Sequence, residues 1–227
     1  MKLKHIFKLI FSGITLPIQD GPLKGKKWCV TTSIRYIKGK YVKRDTDILI
    51  KNVSEGETVY DIGAHVGYFS VLCSGIAGRN GKVYAFEPVP MNLKFLRKHI
   101  KINKCDNIKV FSTCVSDMVG EEYFNNNQGS ATGHLSSQGK LRVSVNTLDN
   151  LLNAGELNPP DFIKINAEGA EQSILSGSMK IIEKYKPKFL ITFHSEELKD
   201  NCIKILSQYN YNIHVTAKDA LYAHHNS

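Results

Sequence analysis

A chain of 227 residues with 42% apolar side chains suits one α/β domain with a modest extension, able to bury a core without metal or disulfide support. Its net charge of +9 is uneven: positions 1–44 hold nine Lys and two Arg against Asp20 alone, a net +10, while the remainder of the chain holds 19 basic and 20 acidic groups, a net −1. A nucleic-acid enzyme spreads positive charge around its active site, so a neutral catalytic body disfavours an RNA or DNA substrate. In chain order, positions 1–18 mix Lys with Ile, Leu and Phe. Their apolar run is too short to cross a bilayer, which takes about 20 residues. No small-residue cleavage site follows, so no signal peptide is expected. Ile6, Phe7, Leu9, Ile10 and Ile14 fall on one helical stripe with Lys2, Lys4 and Lys8 beside it. Such a helix packs on the domain or lines its substrate entrance, and peripheral contact with a membrane is the second reading. After Pro17, residues 26–33 and 35–42 read as two short strands, with Lys38-Gly39-Lys40 as a turn. Residues 1–50 are thus expected as a basic extension of helix plus short strands, ahead of a catalytic domain over 51–227.

From Glu57 the pattern becomes regular. Strand-like runs at 58–62, 82–86, 108–111, 161–165 and 188–193 alternate with helical patterns at 68–77, 91–103, 172–185 and 196–209. Segments 211–216 and 221–225 lie too close for a crossover helix and are expected as an antiparallel pair. The fold class is α/β: a Rossmann-like, seven-stranded, mostly parallel sheet with helices on both faces and an antiparallel terminal strand pair. Between 117 and 149 the pattern loosens. Asn125-Asn126-Asn127-Gln128-Gly129-Ser130 is turn-prone and 142–145 alternates like an edge strand, which reads as an insertion at the active-site rim. Five cysteines (Cys29, Cys73, Cys105, Cys114 and Cys202) include no CxxC pair and are expected reduced and buried in a cytoplasmic protein.

Open parallel sheets bind ligands beyond the carboxyl ends of their strands. The first regular strand ends in Asp61-Ile62-Gly63-Ala64-His65-Val66-Gly67. Gly63 permits a tight turn with close backbone approach, and Gly67 lets the next helix pack on the strand. Asp61 stands where a dinucleotide fingerprint needs glycine. A pyrophosphate would be repelled by that carboxylate, whereas an amino-acid-bearing cation would be held, which favours S-adenosylmethionine over NAD. Ala64 and His65 complete the loop. Glu87 ends the second strand, in Tyr84-Ala85-Phe86-Glu87-Pro88, and is placed for ribose hydroxyls. The third strand runs into Cys114-Val115-Ser116-Asp117, where Asp117 could accept from an adenine amino group.

At these residues the chain resembles a class I methyltransferase and, more narrowly, the FkbM family. The resemblance runs from about Val59 to Phe193 through VYDIGAHVGYFS, VYAFEPVPMNLKFLRKHIKIN, VNTLD and Phe162-Ile163-Lys164-Ile165-Asn166-Ala167-Glu168-Gly169-Ala170-Glu171, then Ile174-Leu175-Ser176-Gly177. The family pattern there is close to IKIDVEGAE followed by VLxG, so Asn166 departs from an aspartate. The resemblance implies O-methylation of hydroxyls on sugars and natural products, with some carboxyl methylation, and a small-molecule or glycan acceptor. An amide cannot act as a base near neutral pH, so Asn166 is expected to orient rather than deprotonate. Glu168 either points into the site or stabilises the first turn of the next helix.

A neutral hydroxyl needs a base or a metal. His194, closing the fifth strand, is the preferred general base because an ordinary imidazole titrates at about 6.5. His65 shapes the cofactor loop. No metal is expected, because the acid pair that would complete a magnesium site is missing. Asn158-Pro159-Pro160-Asp161-Phe162 resembles the signature of amino-group methyltransferases, but it precedes its strand and reads as an entry loop. The alternatives are an RNA methyltransferase gripping phosphates with the basic segment, and a cofactor-binding scaffold without activity. Oligomeric state is left open.

Overall fold

A computed structural model describes residues 13–39, 41–125, 134–135 and 139–225. The helical stripe expected over 6–14 lies almost wholly outside them, as does most of the 125–130 run. The first strands among the described residues are β1 (Thr15–Pro17) and β2 (Lys27–Cys29), paired antiparallel. Helices α1 (Ile34–Ile37) and α2 (Lys43–Asn52) follow. The regular part comprises β3 (Thr58–Ile62), α3 (Tyr68–Ala77), β4 (Lys82–Phe86), α4 (Pro90–Ile102) and β5 (Ile108–Phe111). An inserted region then holds β6 (Thr113–Val115), β7 (Gly120–Asn125), β8 (His134–Leu135), β9 (Leu141–Asn146) and α5 (Leu148–Asn153). After it come β10 (Phe162–Ile165), α6 (Glu171–Ser176), α7 (Met179–Tyr185), β11 (Lys188–Thr192), α8 (Glu196–Gln208), β12 (Tyr211–Ala217) and β13 (Ala220–His225).

The main sheet has seven strands in the order β12-β13-β11-β10-β3-β4-β5, and β13 alone runs against its neighbours. Strands β3 and β10 are buried along their whole length, as expected of central parallel strands covered on both faces. Their side chains alternate between two cores. Tyr60, Ile62, Ile163 and Ile165 face a cluster shared with α5 to α8, while Val59 and Phe162 face one shared with α3 and residues 18–53. Strand order reverses between β3 and β10, so their carboxyl ends form the crevice where such sheets bind ligands.

Three local readings are corrected. Residues 35–42 are not a strand. Ser33 caps α1, its hydroxyl accepting from Arg35 N at 3.2 Å, and burial of Tyr36 and Ile37 outweighs their strand preference. The helix expected at 172–185 is two helices meeting at Gly177, where a Cβ would sit 2.0 Å from the Ser116 carbonyl oxygen. The rim insertion is a second sheet of order β6-β9-β7-β8, with Cys114, Phe124, Val143 and Val145 in its own small core. Helix α2, absent from the sequence reading, spans the expected boundary at residue 50. Trp28, Tyr36 and Leu49 share one core cluster with Val59 and Val83 of the sheet. All five cysteines are buried and unbridged. Asn158 lies at the amino edge of the sheet, accepting from Tyr60 and Tyr84 hydroxyls, which fixes it as an entry loop.

Candidate active site

The loop from β3 to α3 is set by contacts on both sides. Gly63 N and Ala64 N both donate to Phe86 O, at 3.1 and 3.0 Å, tying the loop to β4. Gly63 has φ +74°, and a Cβ there would lie 1.9 Å from Asn166 O, so any other residue collides with the end of β10. His65 also takes a left-handed backbone (φ +51°), which turns its N–H toward Glu87 Oε2 at 2.9 Å. Its ring Nδ1 stands 3.4 Å from the Tyr36 hydroxyl. Gly67 ends the loop against α4, where a Cβ would come 2.5 Å from Leu96 Cδ1.

Asp61 has partners within the fold. It is 1% exposed, and its cation is Lys164, the register partner on β10, at 2.9 Å. Its other oxygen accepts from Ser70 Oγ at 2.6 Å. Lys164 also donates to Gly63 O at 3.2 Å, so the pair braces the loop. A buried carboxylate needs this compensation, which explains why the lysine is there.

Glu87 is 4% exposed and accepts from Val89 N, Asn92 Nδ2 and His65 N. Burial pushes its carboxyl up to about 7 despite those bonds. Asp117 is exposed and accepts from the Ser116 hydroxyl at 3.1 Å. It does not follow the third strand of the main sheet as expected: β5 ends at Phe111, and Asp117 follows β6 of the second sheet, beside the α6–α7 junction.

At the ends of β10 and β11 the expected catalytic residues stand close in the fold. His194 Nδ1 lies 2.7 Å from Glu171 Oε1 and its Nε2 lies 3.2 Å from Glu168 Oε1. Glu171 is fully buried and also accepts from Gly169 N, whereas Glu168 is part-exposed on a left-handed backbone, φ +49°. The hydrogen bond to Glu171 raises the His194 pKa above its ordinary 6.5; burial opposes this, and the charges of Glu171 and Glu168 add to it. Asn166 continues β10 into the crevice with Oδ1 buried and unpartnered. An unpaired buried oxygen calls for a donor from a ligand.

The sequence reading passed over Glu171 and Lys164. Both had a signal: a lysine inside an otherwise apolar strand, and a second acid soon after Glu168 in the most family-like stretch. Together, the glycine cradle against Asn166, the buried Glu87 and the unpartnered Asn166 oxygen fit an adenosyl cofactor with ribose hydroxyls and a cationic tail. Glu87, the Gly63–Gly67 loop and Asn166 would hold it.

A family model of the methyltransferase FkbM domain matches residues 61–213. A hexuronic acid methyltransferase of Haloferax volcanii is 22% identical over 171 residues, covering 74% of this chain and 69% of that protein. Among solved structures, a methyltransferase FkbM from Methylobacillus flagellatus superposes with a TM-score of 0.55 at 24% identity. The match covers 74% of this chain but 43% of that one, so this chain spans less than half of its length. Fibrillarin of Aeropyrum pernix, with natively bound S-adenosyl-L-methionine, gives 0.50 at 15% identity over 80% of this chain and 73% of its own. At these identities the structural likenesses carry the fold alone.

Proposed function

The chain belongs to the FkbM methyltransferase family and its cofactor is S-adenosyl-L-methionine, and from that premise we propose that it methylates a hydroxyl of a sugar-like acceptor with His194 as general base. The observation that carries this reading is the Glu171–His194 pair. A fully buried carboxylate fixes Nδ1, and Nε2 is turned toward the part-exposed Glu168. When bound, the cofactor supplies an electrophilic methyl group on sulfur. An acceptor hydroxyl taking the place of Glu168 at Nε2 would give its proton to that nitrogen as its oxygen took the methyl group, the C–S electron pair leaving with sulfur as a neutral thioether. The resulting imidazolium rests on Glu171, which keeps the ring in its working orientation. Asn166 and the Gly63–Gly67 loop position the reactants, which in-line displacement chiefly requires.

A carboxylate acceptor is already anionic and needs no base, so a histidine flanked by two acids suits a hydroxyl better. The Haloferax volcanii relative, named for a hexuronic acid, supports a sugar acceptor. Methyl transfer to methyl glucuronide and other free glycosides tests the reading. His194→Gln is expected to keep cofactor binding by calorimetry and to lose about 10²–10⁴-fold in kcat. A variant that turns over like the parent would remove His194 from the chemistry.

A further inference from the structure

The basic N-terminal segment does not stand apart from the neutral body. Asn103, just past α4, accepts from Lys27 N at 2.8 Å and donates to Lys27 O at 3.0 Å. Upstream, the Lys98 ammonium reaches the Gly13 carbonyl at 3.3 Å. The β1–β2 hairpin is therefore held against α4 at both of its ends. That helix carries Lys94, Arg97, Lys98 and Lys101 at the spacing of one face, with Lys104 beyond its end, and residues 90–104 contain no acid. Lys24, Lys27, Lys94, Arg97, Lys101 and Lys104 are exposed, and none forms an ion pair among the described residues. Residues 1–44 bring +10 and 90–104 bring +5 to a chain of net +9, so the rest carries −6. Lys24, Lys26 and Lys27 are thus held next to Lys94, Arg97, Lys98, Lys101 and Lys104, a positive patch assembled from two distant stretches of sequence.

We propose that this patch docks on an anionic lipid surface. Two observations favour lipid over nucleic acid. Ile14 and Leu16, 48% and 46% exposed, stand in the segment that runs beside the cations, and residues 1–11 continue the same mixture in sequence with Ile6, Phe7, Leu9 and Ile10 among lysines. Apolar side chains beside cations gain from acyl chains but gain nothing from phosphodiester backbone. Conversely, the aromatic side chains of 13–29 and α4, Trp28 and Phe95, are buried, so the described face offers bases nothing to stack on. The proposal stands independently of the acceptor and of the role of His194.

Co-sedimentation of the full chain with phosphatidylcholine vesicles, with and without about 30% phosphatidylglycerol, tests this at about 50 and 500 mM salt. Binding is expected to the anionic vesicles alone and to weaken sharply at the higher salt. Each charge removed should lower partitioning about fivefold, so Lys94→Gln/Arg97→Gln/Lys101→Gln should lose roughly 100-fold. A second triple, Lys24→Gln/Lys26→Gln/Lys27→Gln, on a different element, guards against misfolding of the first, and cofactor binding by calorimetry checks both. Undiminished binding by either folded triple, equal binding to neutral vesicles, no binding at low salt, or tighter binding to a single-stranded RNA oligomer would each overturn the proposal.

Discussion

At the scale of single residues, two titrations separate cofactor binding from chemistry. The Glu87 carboxyl, raised to about 7 by burial, accepts best when ionised. If its role is to accept from ribose hydroxyls, affinity for S-adenosyl-L-methionine rises with pH through about 7 and levels off above it. Calorimetry across that range reads the slope, and Glu87→Ala should flatten it while weakening binding at least about tenfold. The His194 titration belongs to kcat. A general base works unprotonated, so the ascending limb of kcat should have its midpoint above 6.5, in the direction set by the Glu171 bond. Glu171→Gln removes the charge that favours imidazolium, so the midpoint should fall toward 6.5 while kcat drops. A limb that stays in place in that variant would separate the two residues. Neither shift was legible in sequence, because that of Glu87 comes from burial and that of His194 from a hydrogen bond to Glu171 on another element.

Among the elements, the parallel sheet was the legible part, because each strand repeats one simple demand: a short apolar run followed by a helix with an apolar face. Thr58–Ile62 and Lys82–Phe86 agree with that reading to the residue. Where the pattern failed, tertiary contact had decided the structure. Residues 35–42 carry strand-forming side chains, yet a serine cap and the burial of Tyr36 and Ile37 make a helical turn there. The helical stretch over 171–185 breaks because Gly177 presses on the Ser116 carbonyl, a contact between elements so far apart in sequence that no local window contains it. The loop glycine was legible for the right reason. Gly63→Ala should drive its methyl into Asn166 O and force a backbone with positive φ on alanine, costing at least about 2 kcal/mol. Chemical denaturation measures that loss, and cofactor binding should fail with it because the Phe86 and Asn166 sides of the loop would be pushed apart. Alanine tolerated at full stability would mean the loop is laxer than its contacts imply.

On the scale of the whole molecule, the N-terminal segment and the cofactor loop meet at one histidine. His99 of α4 is fully buried, stacked on Trp28 at 3.7 Å between ring centroids. Its Nε2 accepts from Cys29 N at 3.0 Å, so the ring's one proton sits on Nδ1 and is donated to Val66 O at 2.8 Å. Protonating Nε2 would abolish the bond to β2 and bury a charge, and burial accordingly holds the pKa down at about 4. The folded protein thus binds this proton less readily than the unfolded chain, and stability falls as pH drops from 6.5 toward 4, by about 3 kcal/mol in full. Glu87 acts in the opposite sense: its carboxyl binds a proton more readily when folded, so acidification from about 7 to 4.5 stabilises by about 3 kcal/mol. The two contributions oppose each other, and His194, its pKa raised by Glu171, adds in the sense of Glu87, so the pH response of urea melts of the cofactor-free protein between about 7 and 5 is the difference between these groups. Two perturbations expose the balance. His99→Gln should be less stable at neutral pH but gain stability on acidification, because Glu87 then acts unopposed. Saturating cofactor should do the reverse: holding Glu87 ionised removes its contribution, so the pH response of the bound protein shifts toward lost stability in mild acid relative to the free protein. Identical pH dependence in parent, variant and complex would show that neither buried group sets the response, and that the segment is not pinned through His99.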